Sequence, residues 1–325
     1  MPSRRRALLI LTALLTLAFL SIGLALSVGS LPIGFGDVLA VLLRQETPGA
    51  EIVRLLRLPR ALLGFACGGL LAFAGTLMQV LLRNPLADPY VLGVSGGASI
   101  GALAAILLGF SGLGIDTLAF GGALATLLLV FGLAHGDGSW TQTRLLLTGV
   151  IVAAGCGAIV ALLLAIAPEQ QLRGMLFWLM GDLSNPGESG FTLGVLALCL
   201  VFALPFAREL NLLSRGTDTA RALGVAVSRL HRLIYFLAAV ATAVAVSQAG
   251  AIGFVGLIVP HLVRLVTGND QRLLLPASVL AGGSLLVIAD TLARSIAAPQ
   301  QLPVGVLTAL IGVPVFLLLL GRHPR

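Results

Sequence analysis

Long apolar runs alternate with short polar stretches along almost the whole chain. Each run approaches the ~20 apolar residues that a helix needs to cross a hydrocarbon layer. The first follows Arg4, Arg5 and Arg6 and continues to about Val28. At about 22 residues it fits a spanning helix better than the shorter apolar core of a secretory leader. Gly29–Leu58 is mixed, with Asp37, Arg44, Glu46, Glu51, Arg54 and Arg57, and is assigned to the far side. Pro59 suits a first helical turn and predicts a helix to about Leu82. Arg83–Tyr90 is a short turn with two prolines. Val91–Gly109 is glycine-rich, and Gly93, Gly96, Gly97 and Gly101 predict close contact with another helix.

Further spans are predicted from Asp116 to about Ala134 and from Leu145 to Ala167, joined by the polar loop His135–Arg144. Pro168–Gly190 is irregular, and the stretch around Trp178 predicts a short interfacial helix. Phe191–Ala207 returns, Leu233–Ser247 crosses again, and Gly253–Val266 is short and interrupted by Pro260. That last segment is expected to be a broken or half helix lining a cavity. Leu273–Ile296 and Val304–Leu320 complete ten crossings, with both termini on one side. The expected architecture is all-α: one polytopic membrane domain over residues 1–325.

One polar island, residues 208–232, interrupts this pattern. It holds Arg208, Arg215, Arg221, Arg229 and Arg232 with Glu209 and Asp218, between two apolar runs. It is too polar for hydrocarbon, and its arginine density places it at the cytoplasmic surface. Fourteen arginines fall on the segments assigned to that side: 4–6, 83, 144, the five of the island, 264, 272, 322 and 325. Six fall on the other: 44, 54, 57, 60, 173 and 294. The bias supports the assigned topology. It also isolates Arg57, Arg60 and Arg294, which lie near helix ends on the arginine-poor side.

Composition agrees. Of 325 residues, 58% are hydrophobic and 10% charged, and the mean hydropathy is +1.06. The net charge of +7 rests on twenty arginines and no lysine. A basic balance in a membrane protein reads as topology and contact with anionic lipid, not as nucleic-acid binding. A phosphate-binding P-loop requires a lysine, so this chain cannot carry one, and any ATP hydrolysis belongs to another subunit. Cys67, Cys156 and Cys199 sit in apolar runs without metal-ligand spacing, so no metal site is expected.

Five motifs then carry a resemblance. They are RLPR (Arg57–Arg60), Gly75–Ala98 with its RNPLADP core, ARALGV (Ala220–Val225), GAIGFVGLIVPHLVR (Gly250–Arg264) and LPVGVLTALIGVPVF (Leu302–Phe316). In this order they resemble the FecCD family of ABC importer permeases, which takes up vitamin B12, haem and ferric siderophores. The resemblance covers about residues 30–320. It implies a homodimer of ten-helix subunits around a central pathway in the bacterial inner membrane. It also implies two ATP-binding subunits below and a substrate-binding protein outside. No cofactor is expected on this chain, because ATP and magnesium would sit on the partner.

The resemblance also implies site residues. Ser214–Arg229 is similar to the family's coupling loop, two short helices that enter a groove of the ATPase. Its candidates are Arg215, Thr219, Ala220, Arg221, Ala222, Leu223, Gly224 and Val225, with Gly224 at the small pivot position. Arg57, Arg60 and Arg294 match outer arginines that pair with glutamates of the binding protein, and the guanidinium fork suits carboxylates. Contact with lipid phosphate is the alternative for these three. Asn84, Leu86, Gln142 and Thr143 match the cytoplasmic gate of the vitamin B12 member, which keeps a small hydroxyl residue where Gln142 stands.

Other readings of single residues stay open. Asp290 and Arg294, four apart on a helix, suggest a local ion pair that competes with docking. His261 is either a relay or a group satisfying backbone freed by Pro260. Met175, Phe177, Trp178 and Met180 either touch a bulky ring-shaped ligand or anchor at the interface. A proton- or sodium-driven carrier would need membrane carboxylates on its pathway, and an intramembrane enzyme a catalytic pair such as HExxH; the chain has few of the former and none of the latter.

Overall fold

The computed structural model describes residues 3–29, 31–45, 47, 49–134, 142–184 and 189–321. Within them the regular structure is helical. Seven helical stretches are long and apolar enough to cross a membrane, and three shorter apolar helices accompany them. These ten coincide with the ten crossings read from the sequence, and the protein is a multi-pass membrane protein.

The crossing helices are α1 (Arg4–Ser27), α3 (Leu58–Leu81), α4 (Val94–Leu107), α5 (Leu113–Ala134) and α6 (Gln142–Ile166), then α8 (Ser189–Ala203), α11 (Val227–Ala249), α12 (Val255–Thr267), α13 (Gln271–Ser295) and α14 (Val304–Gly321). Four shorter helices lie between them: α2 (Phe35–Leu42), α7 (Glu169–Leu179), α9 (Ala207–Leu213) and α10 (Thr217–Ala222). Two of these correct the hydropathy reading. The stretch 29–58, to which the hydropathy pattern assigns no helix, contains α2 and a π-helical turn, Ile52–Arg57, that runs into α3. The polar island contains α9, α10 and the first turns of α11, so its first short helix begins before Ser214.

The hub is α3, which is buried almost throughout. In lipid there is no hydrophobic drive between helices, so close backbone approach must supply the attraction, and small residues permit it. Gly68 and Gly282 meet back to back: a Cβ on either would overlap the other's carbonyl. Gly283 presses on the ring of Phe65 in the same seam. The expected glycine face of α4 behaves likewise, since Cβ atoms on Gly97 and Gly101 would overlap Gly122 and Leu118 of α5.

Two segments are helical over only part of their length. The chain leaves α3 at Leu81 and becomes helical again at Val94, after a short 3-10 turn at Pro89–Leu92. It leaves α11 at Ala249 and becomes helical again at Val255, where Phe254 has φ +70°. The two irregular stretches meet, with the Tyr90 hydroxyl donating to Ile252 O at 2.9 Å. Backbone that leaves the helix among packed spanning helices must find its hydrogen-bond partners within the protein. Pro260 has no N–H for the Gly256 carbonyl one turn earlier, and that carbonyl lies against the bare Cα of Gly75.

Candidate functional site

Two faces carry the polar chemistry. The first, the basic face, gathers the N-terminus, the α3–α4 turn, α9–α10 and the α12–α13 turn. Arg6 Nη2 reaches Val266 O at 3.4 Å, and Arg83 Nη1 lies beside Gly216.

On the basic face, α10 ends in a Schellman motif. Gly224 N donates to Arg221 O at 3.0 Å and Val225 N to Ala220 O at 3.0 Å. The motif needs a left-handed residue after the helix, and Gly224 supplies it at φ +82°. No atom lies within 4 Å of where its Cβ would stand, so the elbow projects into open space. Ala220 is buried beneath it, Val225 is half-buried, and Arg215, Thr219, Arg221, Ala222 and Leu223 are exposed. Leu223 is 60% exposed at the end of α10, two residues past Arg221. Beside it lies a groove of about 740 Å³, bounded by Phe206, Leu212, Leu223, Val225, Arg229 and Leu233. Arg221 reaches Asp218 at 3.5 Å, but both are exposed, so the pair contributes little.

This loop is tied to the membrane helices at named points. Asn211 of α9 donates to Asp270, the N-cap of α13, at 2.9 Å, and accepts from Gln271 N at 2.8 Å. Asn84 closes the α3–α4 turn by accepting from Leu86 N at 2.9 Å, leaving both residues exposed. Thr143 is exposed in the first turn of α6. The side chain of Gln142 and residues 135–141 lie outside the described residues, so the remainder of the expected gate does too.

On the opposite face the three arginines singled out in the sequence come together, each doing something different. Arg57 is 5% exposed. Its Nη1 donates to Leu26 O at 2.7 Å and Ser27 O at 3.2 Å, and its Nη2 to Leu31 O. It therefore caps the end of α1, whose last carbonyls have no helical donors. Gly29 makes this possible, because a Cβ there would come within 2.7 Å of Nη2. Arg60 grips Asp290 with two nitrogens, Nε at 3.0 Å and Nη2 at 2.8 Å, and donates from Nη1 to Gln301 at 2.9 Å. Arg294 lies 3.3 Å from the same carboxylate and donates to Ala25 O at 3.2 Å. The expected i, i+4 pair thus exists, within a triad that the spacing alone did not reveal.

The same face opens into a cavity of about 1030 Å³ between α4, α5, α7 and α11. Phe110, Asp116, Arg173, Phe177, Trp178 and Gln248 line it. Gln248 donates to Asp116 at 3.1 Å, joining the end of α11 to the start of α5. Arg173 lies over the Phe177 ring at 5.6 Å. Of the four residues proposed for a ring-shaped ligand, Phe177 and Trp178 line the cavity and Met175 is wholly buried. The residues just past α7 pack against the ends of α11 and α14: Asp182 N donates to Ala249 O at 2.9 Å, and Gly181 O accepts from Val304 N at 3.1 Å. Asp116 and Gln248 were not singled out as partners, since only packing brings residues 132 apart in sequence together.

His261 is buried on α12, and Cys67, Cys156 and Cys199 are buried and unbridged. Among the described residues, no group of three or more His, Cys, Asp and Glu side chains is arranged to hold a metal.

Known proteins match this arrangement along its length. The cobalamin import permease BtuC of Halobacterium salinarum is 47% identical over 83% of this chain and 73% of its own. The hemin permease HmuU of Yersinia pestis is 43% identical over 82% of each chain. The Fe(3+) dicitrate permease FecD of Escherichia coli is 42% identical over 82% of this chain and 84% of its own. A solved structure described as an inward-facing metal-chelate type ABC transporter superposes with a TM-score of 0.85 at 32% identity, over 98% of this chain and all of that one. The FecCD transport family model matches residues 14–322, and the chain belongs to that family.

Proposed function

We propose that this protein is the permease subunit of an importer that carries a metal chelate across the bacterial inner membrane, driven by ATP hydrolysis on a separate subunit. The observation that carries the proposal is the exposed Gly224 elbow on the basic face of a FecCD-family chain. Relatives named for cobalamin, hemin and ferric dicitrate support a bulky metal chelate as the substrate class. The basic face lies in the cytoplasm with both termini, as the arginine bias requires.

In this reading two ATP-binding subunits receive α10 and the Gly224 elbow, one from each of two permease copies. Arg215, Thr219, Arg221, Ala222 and Leu223 form the contact, Ala220 and Val225 hold the elbow's shape, and the arginines favour encounter and orientation. Movement of α9 passes through Asn211 to Asp270 and so to α13. It passes also to Arg83 and the turn carrying Asn84 and Leu86, which with Gln142 and Thr143 closes the cytoplasmic end. ATP and magnesium stay on the partner, and this chain holds no cofactor.

At the outer face a binding protein docks over Arg60 and Arg294. Asp290 presets both guanidiniums, and a partner carboxylate bonds to the donors that remain. Arg57, whose nitrogens serve the α1 carbonyls, holds the platform from beneath. The cavity beside Trp178 and Gln248 receives the chelate, and its largely apolar wall lets a large ligand leave as readily as it enters.

Uptake into liposomes tests the proposal, with the permease reconstituted together with its ATPase and binding protein. Cobalamin, haemin and a ferric siderophore are offered outside, with ATP inside. One ligand should accumulate only with ATP, and Gly224→Trp should abolish its uptake while the protein stays folded. Uptake that persists without ATP and follows a proton gradient would overturn the reading.

A further inference from the structure

Helix α2 lies on the face that carries Arg60 and Asp290, and nothing in its apolar run suggested a separate role. Its eight residues divide into three faces. At about 100° per residue, Phe35, Leu39 and Leu42 share one arc, while Val38 and Val41 share a second, a quarter-turn away. Asp37 falls opposite the first arc. The second arc is explained: Val38 and Val41 are buried against Leu26, Ile33 and Val53. The first arc is not. Phe35 is 65% exposed, Leu39 59%, Leu42 50% and Leu43, just past the helix, 65%. So large an apolar face on an eight-residue helix needs an occupant.

The depth of Phe35 says which one. A Cβ on Gly23 would touch its ring at 3.6 Å. Gly23 lies four residues before the end of α1, hence about 6 Å below that end along the helix axis. α1 is a spanning helix with little of its surface covered, and Phe19 and Leu20 on it are 69% and 64% exposed. The ring therefore continues the lipid-facing surface of α1 inward from its end. Leu31, just before α2, and Leu55 and Leu56 of the π-helical turn that contacts it are exposed as well.

From this geometry we infer that α2 is an interfacial helix: Phe35, Leu39, Leu42 and Leu43 insert among the acyl chains of the adjacent leaflet, and Asp37 faces water. The right angle between the protein-facing and exposed arcs is what such a helix requires, since protein lies beside it and the bilayer beneath it. Its ends are secured accordingly. Asp37 curls back toward its own N-terminus, with Oδ2 3.2 Å from where a Gly34 Cβ would stand. Arg54 Nη2 donates to Val41 O at 3.2 Å and Gln45 O at 3.3 Å, satisfying carbonyls at the C-terminal end. The insertion sets the height of the Arg57 brace, and with it Arg60 and Asp290, relative to the bilayer. It does not depend on which substrate is carried, or on which side of the membrane this face lies.

The test is fluorescence quenching on the full chain in phosphatidylcholine vesicles. Trp140→Phe and Trp178→Phe remove the native signal, and Leu39→Trp reports the inserted face. Emission should fall strongly when the lipids carry bromine on the upper acyl chain and should resist aqueous iodide. Asp37→Trp in the same background should show the reverse. Leu39 is mostly exposed, so its replacement removes no core contact; Leu42→Trp repeats the measurement should Leu39→Trp express poorly. Quenching of Leu39→Trp by iodide and not by brominated lipid would place the face in water and overturn the inference. Protection from both quenchers would also overturn it, by showing that a second copy or another protein covers the face.

Discussion

Asp290 holds Arg60 with two hydrogen bonds, at 2.8 and 3.0 Å, and Arg294 at 3.3 Å, so one carboxylate organises two arginines from different helices. Both guanidinium side chains are 11% exposed and the carboxylate 5%. The Gly68–Gly282 contact further down the same two helices sets the register that brings Arg60 opposite Asp290.

Removing that carboxylate leaves two buried guanidiniums facing each other. Breaking a buried pair from one side costs about 3–5 kcal/mol. Asp290→Ala should lower the thermal unfolding temperature in detergent more than Arg294→Gln does. A double-mutant cycle between Asp290→Asn and Arg60→Gln should return a coupling energy of about 1 kcal/mol or more. Additive effects would mean that the bidentate contact carries no energy.

Gly75 and Gly155 make a contrast within one residue type. A side chain on Gly75 would overlap the Gly256 carbonyl, whereas nothing lies within 4 Å of Gly155. Gly75→Ala should sharply reduce folded, monodisperse protein, because backbone must move. Gly155→Ala should be tolerated or gain about 0.5–1 kcal/mol from its helix position. Size-exclusion profiles of the two variants decide the point.

The elbow at Gly224 separates backbone strain from blocked contact. Asn tolerates the left-handed region, so Gly224→Asn should retain most transport. Gly224→Val should lose stability through strain, by about 1–2 kcal/mol. Gly224→Trp should still fold but fail to stimulate ATP hydrolysis in the assembled complex. Equal transport by Gly224→Asn and Gly224→Trp would remove the elbow from the contact.

Asn211 joins the loop to α13 by accepting from Gln271 N and donating to Asp270. Asn211→Leu removes both bonds and leaves Asp270 as N-cap. ATP hydrolysis should continue while uptake per ATP falls several-fold. Loss of both activities in parallel would indicate an assembly defect instead.

The Asp116–Gln248 bond joins α5 to α11 beside the cavity mouth. Gln248→Leu leaves a part-buried carboxylate without this partner, a change that costs about 1–3 kcal/mol. The unfolding temperature should drop, and Asp116→Asn added to Gln248→Leu should recover part of it. No recovery would show that the carboxylate's charge is not the source of the loss.

Much of this was legible in the order of residues. Ten apolar segments and the polar island each follow from a local requirement: hydrocarbon excludes unpaired polar backbone and charge. The break expected at Pro260 lies elsewhere: α12 runs without interruption from Val255 to Thr267, and the irregular backbone precedes it, where Phe254 has φ +70°. Glycine spacing on α4 likewise announced a close helix contact, though not that α5 would make it. The site was legible only as residue types. Arg57, Arg60 and Arg294 look alike along the chain, yet one caps α1 while two share Asp290, because which carbonyl or carboxylate each meets depends on how α1, α3 and α13 approach. Helix α2 escaped hydropathy reading because eight residues are too few to register as a span. Its three faces acquire meaning only when α1 stands beside it. Local chemistry along the chain therefore specified how many times it crosses and where charge can surface. Partnership between residues hundreds of positions apart was left to packing, since glycine-to-glycine contact fixes helix register and nothing local encodes which glycines meet.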